Sequence, residues 1–225
     1  MTETNTLVPP GQRVRPDFPR FGLPWYAHRA PHRLTPISIE LVGPDGARAV
    51  LDDAALARLT PREQRSDFHC VTTWSRLDLR WAGVPFRRVY EEVIRARVDP
   101  AGVGRFLTFY GEDGYRDETC LDDLLADDVL FATTLNEKPL TLSHGGPLRL
   151  VAPAHYGYKS VKHLTKIELR RTTQRRLSRW SSHHPRGRVA QEERFLGLPD
   201  RLIRVIYRRL VLPPTLWWYR RNERN

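Results

Sequence analysis

The stretch "HGGPLRLVAPAHYGYKSVKHLTKIEL", residues 144–169, combines a turn, two strand-like segments and a pair of lysines. Its two glycines and one proline predict a tight turn that brings the backbone close to a neighbouring group. Residues 147–153 and 164–171 have the composition of strands. Between them Lys159 and Lys162 lie three apart around a serine, a spacing suited to gripping a phosphate. Taken alone, a hairpin turn and a solvated lysine face are the commoner interpretations of such segments.

A second stretch, "SDFHCVTTWS" at residues 66–75, holds Cys70, one of only two cysteines in this 225-residue chain. Its alternation predicts a strand in which Phe68 and Cys70 face one way and His69 and Val71 the other. An isolated cysteine in a strand is usually a small buried hydrophobe. Soft metals, however, prefer thiolate ligands. The residues alone leave both interpretations open.

The second cysteine, Cys120, lies fifty residues further along the chain, at the start of a predicted helix. Two cysteines at that spacing form neither a disulfide framework nor a zinc site. The first residues lack the charged-then-apolar layout of a secretory signal. No apolar run approaches the ~20 residues that span a membrane. We therefore expect free thiols and a reducing, cytoplasmic compartment.

The remaining pattern mixes short strands with short helices. Asp52 is predicted to be the N-cap of the first helix. Strands are predicted at 37–43, 105–111 and 129–135, and helices at 51–59, 84–97 and 121–128. Because no strand–helix alternation is sustained, an α+β domain with a mixed sheet is favoured over a doubly wound sheet. We predict three segments: a proline-rich arm at 1–36, a main domain at 37–180 and a basic tail at 181–225.

Together, and in this order, the two stretches resemble the oxidoreductase molybdopterin-binding domain of the sulfite oxidase family. "HCVTTWS" is followed about 75 residues later by "HGGPLRLVAPAHYGYKSVKHLTKIEL", and the resemblance covers about residues 35–171. It implies a sulfite oxidase-type fold and Mo-molybdopterin as the cofactor. It also implies two-electron oxygen-atom transfer on sulfite or a sulfoxide-like small molecule. A catalytically inactive molybdopterin-binding scaffold or carrier is the alternative.

The resemblance implies roles for individual residues. Cys70 matches the cysteine whose thiolate ligates molybdenum, which makes it both the metal ligand and the catalytic residue. Gly111 falls near a position that contacts the pterin, and His69 precedes the metal ligand as a supporting residue. The residues that would hold the pterin and its phosphate are His144, Arg149, Lys159, Ser160, Val161 and Lys162.

The amino-terminal arm departs from the family pattern. It lacks the "RNH"-type motif with which sulfite oxidases of the family bind their anionic substrate, and it lacks the Asn/Tyr contact motif of the sulfoxide reductase branch. The nearest candidates are His28, Arg29 and His32, which we interpret as surface residues of the arm. The substrate is therefore open. The length also leaves no room for a haem domain, so we expect no haem and a separate electron-transfer partner.

Charge is distributed unevenly. Residues 1–169 carry 22 basic and 22 acidic side chains, whereas residues 170–225 carry 15 arginines and 4 acids, which supplies the whole net charge of +11. A neutral main domain argues against a nucleic-acid partner. Within the tail, residues 200–212 predict an amphipathic helix that ends at Pro213 and Pro214. Packing of this helix on the domain is favoured, and peripheral docking of residues 200–221 on an anionic membrane is the alternative.

Overall fold

The computed structural model describes residues 8–20, 28–174 and 183–222. Its strands form two mixed sheets, with one parallel pair in each. The first, which we call the site sheet, contains β1 (Arg13–Val14), β4 (Arg62–Cys70), β5 (Trp74–Pro85), β8 (Leu130–Leu135), β9 (Lys138–Pro139) and β10 (Arg149–Val151). The second sheet contains β2 (Ser38–Val42), β3 (Arg48–Asp52), β6 (Phe106–Gly111), β7 (Arg116–Cys120) and β11 (Leu164–Arg170).

The strand orders are simple. The site sheet runs β1-β5-β8-β10, with β4 paired to β5 and β9 paired to β8. The second sheet runs β3-β2-β11-β6-β7. All neighbours are antiparallel except β1–β5 and β2–β11. The predicted α+β class with mixed sheets is thereby confirmed.

In the part of the chain that the structure describes, four helical segments accompany the sheets. They are α1 (Asp53–Ala57), α2 at residues 86–98, α3 (Leu121–Leu124) and α4 at residues 200–222. Both long helices contain a π-helical turn, Tyr90–Arg95 in α2 and Tyr207–Val211 in α4. Short 3₁₀ turns at Leu142–His144 and Gly157–Lys159 flank β10.

The main core lies between the sheets and α2. One apolar cluster contains fully buried side chains from both sheets and from α2. Examples are Leu41 and Phe109 of the second sheet, Phe131 and Leu150 of the site sheet, and Ile94 of α2. Side chains alternate along β6, where every second residue is buried, as a strand with one face on a core requires. This core fixes β10 and β11, the strands that flank the lysine-bearing loop.

The structure refines several predicted elements. Asp52 is the N-cap of the first helix, as predicted, and accepts a hydrogen bond from the Ala55 backbone N–H at 2.8 Å. The predicted helix at 51–59 is shorter, because residues 48–52 pair with β2 and α1 begins only at Asp53. The longest strand, β5, was not predicted.

The tail helix differs from its prediction at its prolines. Pro213 and Pro214 do not end the helix, which continues to Asn222. The preceding turn is π-helical, and the Leu212 N–H reaches back to the carbonyl of Tyr207. The prolines therefore lie in the first turn of a new α-helical segment, where a missing N–H costs little.

The flanking segments pack on the main domain. Strand β1, from the proline-rich arm, pairs in parallel with the start of β5. Ile203 and Tyr219 of α4 are buried. The predicted arm boundary at residue 36 stays a prediction, and the boundary at residue 180 falls outside the described residues.

Candidate cofactor site

A cavity lies where the end of β4, the 144–163 stretch and both flanking segments meet. The sequence-predicted residues that line it are Cys70, His144, Arg149, Ser160, Val161 and Lys162. The fold therefore brings together two stretches that are more than 70 residues apart in the chain. Strand pairing explains this, because β10 pairs with β8, β8 pairs with β5, and β5 also pairs with β4.

Cys70 ends β4 and is held by the turn that follows it. The Thr73 backbone, with φ of 78°, adopts the left-handed conformation and its N–H donates to the Cys70 carbonyl at 3.1 Å. The Cys70 Sγ lies 3.1 Å from the Thr72 hydroxyl oxygen. Burial raises the pKa of the Cys70 thiol, and the Thr72 hydrogen bond opposes that rise. The thiol is thus fixed at the cavity wall and stays protonated until a positive partner arrives.

A residue of the carboxy-terminal segment, Arg194, stabilises the same turn. The buried Arg194 side chain donates from Nη1 to the Val71 carbonyl at 2.9 Å and from Nη2 to the Pro10 carbonyl at 3.2 Å. Val71 itself lines the cavity. Its predicted direction, opposite to Cys70, is wrong because the strand ends at Cys70 and the alternation stops there.

Arg149 is the least conventional group in the cavity. It is only 1% exposed, and its guanidinium lies 5.5 Å from the Phe68 ring centre and 5.4 Å from the Trp81 ring centre. Its two terminal nitrogens donate to the carbonyls of His144, at 2.9 Å, and Ser160, at 3.1 Å.

Those carbonyls leave the charge of Arg149 uncompensated. Burial lowers the pKa of Arg149 to about 9. No ion pair of the described residues joins this guanidinium to a carboxylate. Buried charges are normally paired, since an uncompensated one costs several kcal/mol. An anion in the cavity would supply the partner, so this residue fits a phosphate-bearing cofactor.

Lys162 adds a second cation to the same side. Its Nζ donates to the Ser143 carbonyl at 3.1 Å. Burial, followed by repulsion from Arg149 and Arg20, lowers the pKa of Lys162 to about 7. Arg20 of the arm also lines the cavity. Three cationic side chains around one cavity form a strong site for an anion.

Lys159 has a different environment from the one that the resemblance implies. Its ammonium group lies 2.6 Å from an Asp117 carboxylate oxygen and 2.6 Å from the Glu118 carbonyl, and its side chain is fully buried. It does not line the cavity. The 3₁₀ turn Gly157–Lys159 places Tyr158 and Lys159 on different sides, with Tyr158 lining the cavity. Lys159 is thus half of a buried ion pair with Asp117, and its contact with a cofactor stays a prediction.

His144 and the loop around Ser160 shape the cavity through their hydrogen bonds. The His144 ring stacks on Phe18 with centres 5.0 Å apart. Its Nε2 donates to the Phe18 carbonyl at 3.0 Å, and its Nδ1 accepts from the Thr141 hydroxyl at 3.0 Å. Burial lowers the pKa of His144, so the ring is neutral. Ser160 accepts from the Ala152 N–H through its hydroxyl, at 3.3 Å.

His69 and Gly111 lie behind the cavity lining. The His69 Nδ1 lies 2.8 Å from the Ser75 hydroxyl, across the β4–β5 pair from the cavity side. Gly111 ends β6, and a Cβ there would stand 2.6 Å from the Lys162 carbonyl. The glycine therefore permits the close approach of the backbone that carries Lys162. Neither residue is among the described residues that line the cavity.

The arm candidates are exposed. His28, Arg29 and His32 lie at the surface, and none of them is among the described residues that line the cavity. His28 instead packs edge-on against Trp218 of α4, with ring centres 5.4 Å apart.

Several lining residues were missed by sequence reasoning. They come mostly from the chain ends and form an aromatic side of the cavity: Phe18, Tyr158, His183, Tyr207 and Tyr219. Burial raises the pKa of Tyr207 to about 12, so its phenol is neutral. His163, next to Lys162, was also missed, and its Nδ1 donates to the Gly146 carbonyl at 2.8 Å. The only available signal was the aromatic content of the tail.

Metal donors are sparse among the described residues. Within residues 8–20, 28–174 and 183–222 no group of three or more His, Cys, Asp or Glu side chains is placed to hold one. Cys70 stands as a single thiol beside an anion site. One soft ligand beside a site that can bind a phosphate fits a metal that is already held by a phosphorylated organic cofactor.

The fold and the cavity together define a cofactor-binding oxidoreductase domain. Residues 35–178 match the family model described as "Oxidoreductase molybdopterin binding domain". The chain belongs to this family, which is the sulfite oxidase family that the two sequence stretches resembled.

Curated relatives agree with this assignment. The chain is 33% identical over 192 residues to "Uncharacterized oxidoreductase YuiH" of Bacillus subtilis, a match that covers 84% of this chain and 91% of that protein. It is 31% identical over 140 residues to the "Protein-methionine-sulfoxide reductase catalytic subunit MsrP" of Campylobacter jejuni. That match covers 56% of this chain and 46% of MsrP, so the chain matches less than half of that relative.

A solved structure shares the fold. The sulfane dehydrogenase SoxCD from Paracoccus pantotrophus superposes with a TM-score of 0.51 at 19% identity, over 60% of this chain and 38% of that chain. At this identity the similarity concerns the fold alone.

Proposed function

We propose that this protein holds the molybdenum cofactor in the Cys70 cavity and catalyses two-electron oxygen-atom transfer on a small sulfur compound. The observation that carries the proposal is the buried Arg149, which pairs with no carboxylate of the described residues and lies in the same cavity as the Cys70 thiol. A cavity that combines an anion-binding site with a soft metal ligand is suited to a phosphorylated pterin that carries a metal. Family membership supports the same cofactor.

Each residue then has a task. The Cys70 thiolate would be the protein ligand of the metal, beside the two pterin sulfurs. Arg149 and Lys162 would bind the phosphate, and the Ser160–Val161 backbone would shape the wall beside them. When bound, the cofactor supplies the two-electron redox chemistry and accepts or gives up one oxygen atom. The protein supplies position, exclusion of water and surrounding charge.

The aromatic side of the cavity bears on the substrate. Tyr207, Val211 and Tyr219 line it, and the Tyr207 phenol is neutral. A neutral apolar wall favours a sulfoxide-like molecule over the sulfite dianion, because an anion would lose hydration there without gaining a partner. The MsrP relatives, which are named as methionine-sulfoxide reductases, support the same class. We therefore propose sulfoxide reduction, with sulfite oxidation as the second candidate.

Electrons must reach the site from another molecule. MsrP is named as a catalytic subunit, so it is part of an assembly with another component. This supports a separate electron-transfer partner for the present protein as well. We also propose a reducing, cytoplasmic location, on the ground that both cysteines are free thiols.

The decisive experiment compares the wild type, Cys70→Ser and the matched thiol control Cys120→Ser. Molybdenum content, pterin fluorescence and sulfoxide reduction with a viologen donor are measured on purified protein, and sulfite oxidation with ferricyanide on the same samples. We expect Cys70→Ser to lose activity by about 100-fold or more, beyond the loss typical of a supporting residue, and Cys120→Ser to retain it. Equal activity of Cys70→Ser and wild type would refute the role of the thiolate. A wild type that retains cofactor but shows neither activity would favour the inactive scaffold or carrier.

A further inference from the structure

The outer face of α4 carries an arginine-lined groove that is separate from the cavity. The groove lies between the helix and the proline-rich arm, and its walls include Arg13, Arg201, Arg204, Arg208 and Arg209. The same helix turns Tyr207 and Tyr219 towards the cavity. Helix α4 therefore has one face on the proposed active site and another on this groove, which we call the arginine groove.

The arginine groove has more positive charge than its surroundings neutralise. Arg204 lies 3.5 Å from a Glu192 carboxylate oxygen. Arg208 donates to the Gly11 carbonyl at 2.7 Å, which ties the helix to the arm. Among the ion pairs of the described residues, none involves Arg13, Arg201 or Arg209. Residues 200–222 contain six arginines and one acidic residue, Asp200. A concentrated field of this kind attracts anions.

Exposed apolar side chains stand beside the arginines. Leu202 is 49% exposed, Val205 50%, Leu210 69% and Trp217 60%. Val205 itself lines the arginine groove. Arg221 lies over the Trp217 ring at 5.4 Å, so a cation and a tryptophan are presented together. Most large apolar side chains of the chain are buried, which makes this group unusual for a surface that faces only water.

We propose that this face of α4 docks the protein on an anionic membrane surface. The arginines would contact headgroup phosphates, while Leu202, Val205, Leu210 and Trp217 would enter the boundary between headgroups and acyl chains. Helices that lie in the membrane interface combine arginines with tryptophan and leucine in this way. Among the described residues no helix is long and apolar enough to cross a bilayer.

An acidic protein is the competing occupant for a basic surface. Such a protein would pair with the arginines, because complementary charges guide the association of charged partners. Pairing of charges alone would not bury the exposed leucines and the tryptophan. The apolar residues therefore favour lipid. Because a helix is about 10 Å across, a docked molecule would hold its cavity about one helix diameter from the membrane surface.

The test is co-sedimentation of the full-length protein with vesicles. Vesicles of phosphatidylcholine alone are compared with vesicles that contain phosphatidylglycerol at three parts in ten. We expect binding only to the anionic vesicles, with release in high salt, because exposed charges are screened at high ionic strength. Arg201→Glu/Arg209→Glu should weaken binding by roughly 30-fold or more, given the usual contribution of an arginine near an anionic surface.

A matched control carries the same change of net charge elsewhere. Arg33→Glu/Arg58→Glu alters two exposed arginines outside the arginine groove and should bind like the wild type within about threefold. Leu210→Ser/Trp217→Ser keeps every charge and should reduce binding by about 10-fold or more through lost apolar burial. Equal weakening by the two charge-reversal variants, or unchanged binding of Leu210→Ser/Trp217→Ser, overturns the proposal. Absence of wild-type binding to anionic vesicles overturns it as well and leaves an acidic protein as the occupant.

Discussion

The two sides of the cavity differ in charge and in origin. The basic side comes mainly from residues 144–162, which present Arg149 and Lys162, with Arg20 of the arm as a third cation. The aromatic side comes largely from α4, more than 40 residues later, and presents Tyr207, Val211 and Tyr219. Under the proposed function the two sides would divide the work: the basic side would retain an anionic cofactor, and the aromatic side would select the molecules that reach Cys70.

The largest expected effect concerns the basic side. Arg149→Met should weaken retention of the cofactor by about 30-fold or more, because a buried, hydrogen-bonded charge partner is removed. Pterin and molybdenum content after gel filtration would measure this. The stability of the cofactor-free protein should change little, since loss of three hydrogen bonds to carbonyls is offset by removal of an uncompensated buried charge.

Lys159→Met is the matched comparison, because Lys159 is an equally buried cation of the same stretch. Removing it leaves Asp117 without its 2.6 Å partner and should cost about 3–5 kcal/mol of unfolding free energy. Cofactor content per folded molecule should stay at the wild-type level. If Lys159→Met lost cofactor without losing stability, the distinction between the two cations would fail.

A second prediction uses the lowered pKa of Lys162. The cofactor-free protein has a Lys162 pKa of about 7, and a bound phosphate would raise it. Protonated Lys162 is the binding form, so affinity should be full below pH 7 and fall as pH rises through it. We expect binding to be about 10-fold weaker at pH 8 than at pH 6, from the fraction protonated. Titration of cofactor-free protein with pterin would show this. Lys162→Arg should flatten the profile, since arginine stays charged; an unchanged slope would argue against contact with the phosphate.

The aromatic side should respond in a different way. Tyr207→Ala is expected to lower kcat/KM for aryl sulfoxides by about 5- to 10-fold, the range expected when a small apolar contact is lost. Cofactor content should not change, because Tyr207 contributes no cation. Tyr207→Phe keeps the ring and should behave like the wild type. Loss of cofactor from Tyr207→Ala would show that the two sides do not act separately.

The smallest expected effect lies at the thiol itself. Thr72→Val removes the hydroxyl 3.1 Å from the Cys70 sulfur. Without that hydrogen bond the pKa of the thiol should rise further, so alkylation of the cofactor-free protein by iodoacetamide should slow about threefold at pH 8. Thr72→Ser should restore the rate. Labelling of Cys120, followed by peptide mapping in the same sample, controls for general reactivity.

Much of the basic side could be predicted from sequence. Arg149 and Lys162 belong to one short stretch whose residue types and order already indicated an anion-binding segment. The buried environment of Lys159 could not be predicted from the sequence, for a physical reason. Three residues of a 3₁₀ turn suffice to reverse the direction of a side chain, and Asp117 on β7, invisible to local reasoning, provides an ion-pair partner there.

The aromatic side and strand β5 show what local reasoning misses. Residues 74–85 mix tryptophans with arginines, and only their pairing with β4 and β8 makes them the longest strand. The prolines of α4 suggested a helix end, but a π-helical turn lets the helix continue and bring Tyr219 to the cavity. Both outcomes depend on contacts between residues far apart in the chain.

The sequence by itself determined the α+β class, the cysteine and the anion-binding stretch, because these depend on residue types within short segments and on their order. Only the tertiary structure decided which cation faces the cavity, which residues cover Cys70 and where the basic tail lies. The reason is that a side chain's direction and burial are set by packing against distant strands and helices. The sequence shows that an arginine is charged. Whether that charge faces a carboxylate, a cofactor site or the outer surface depends on how the chain packs.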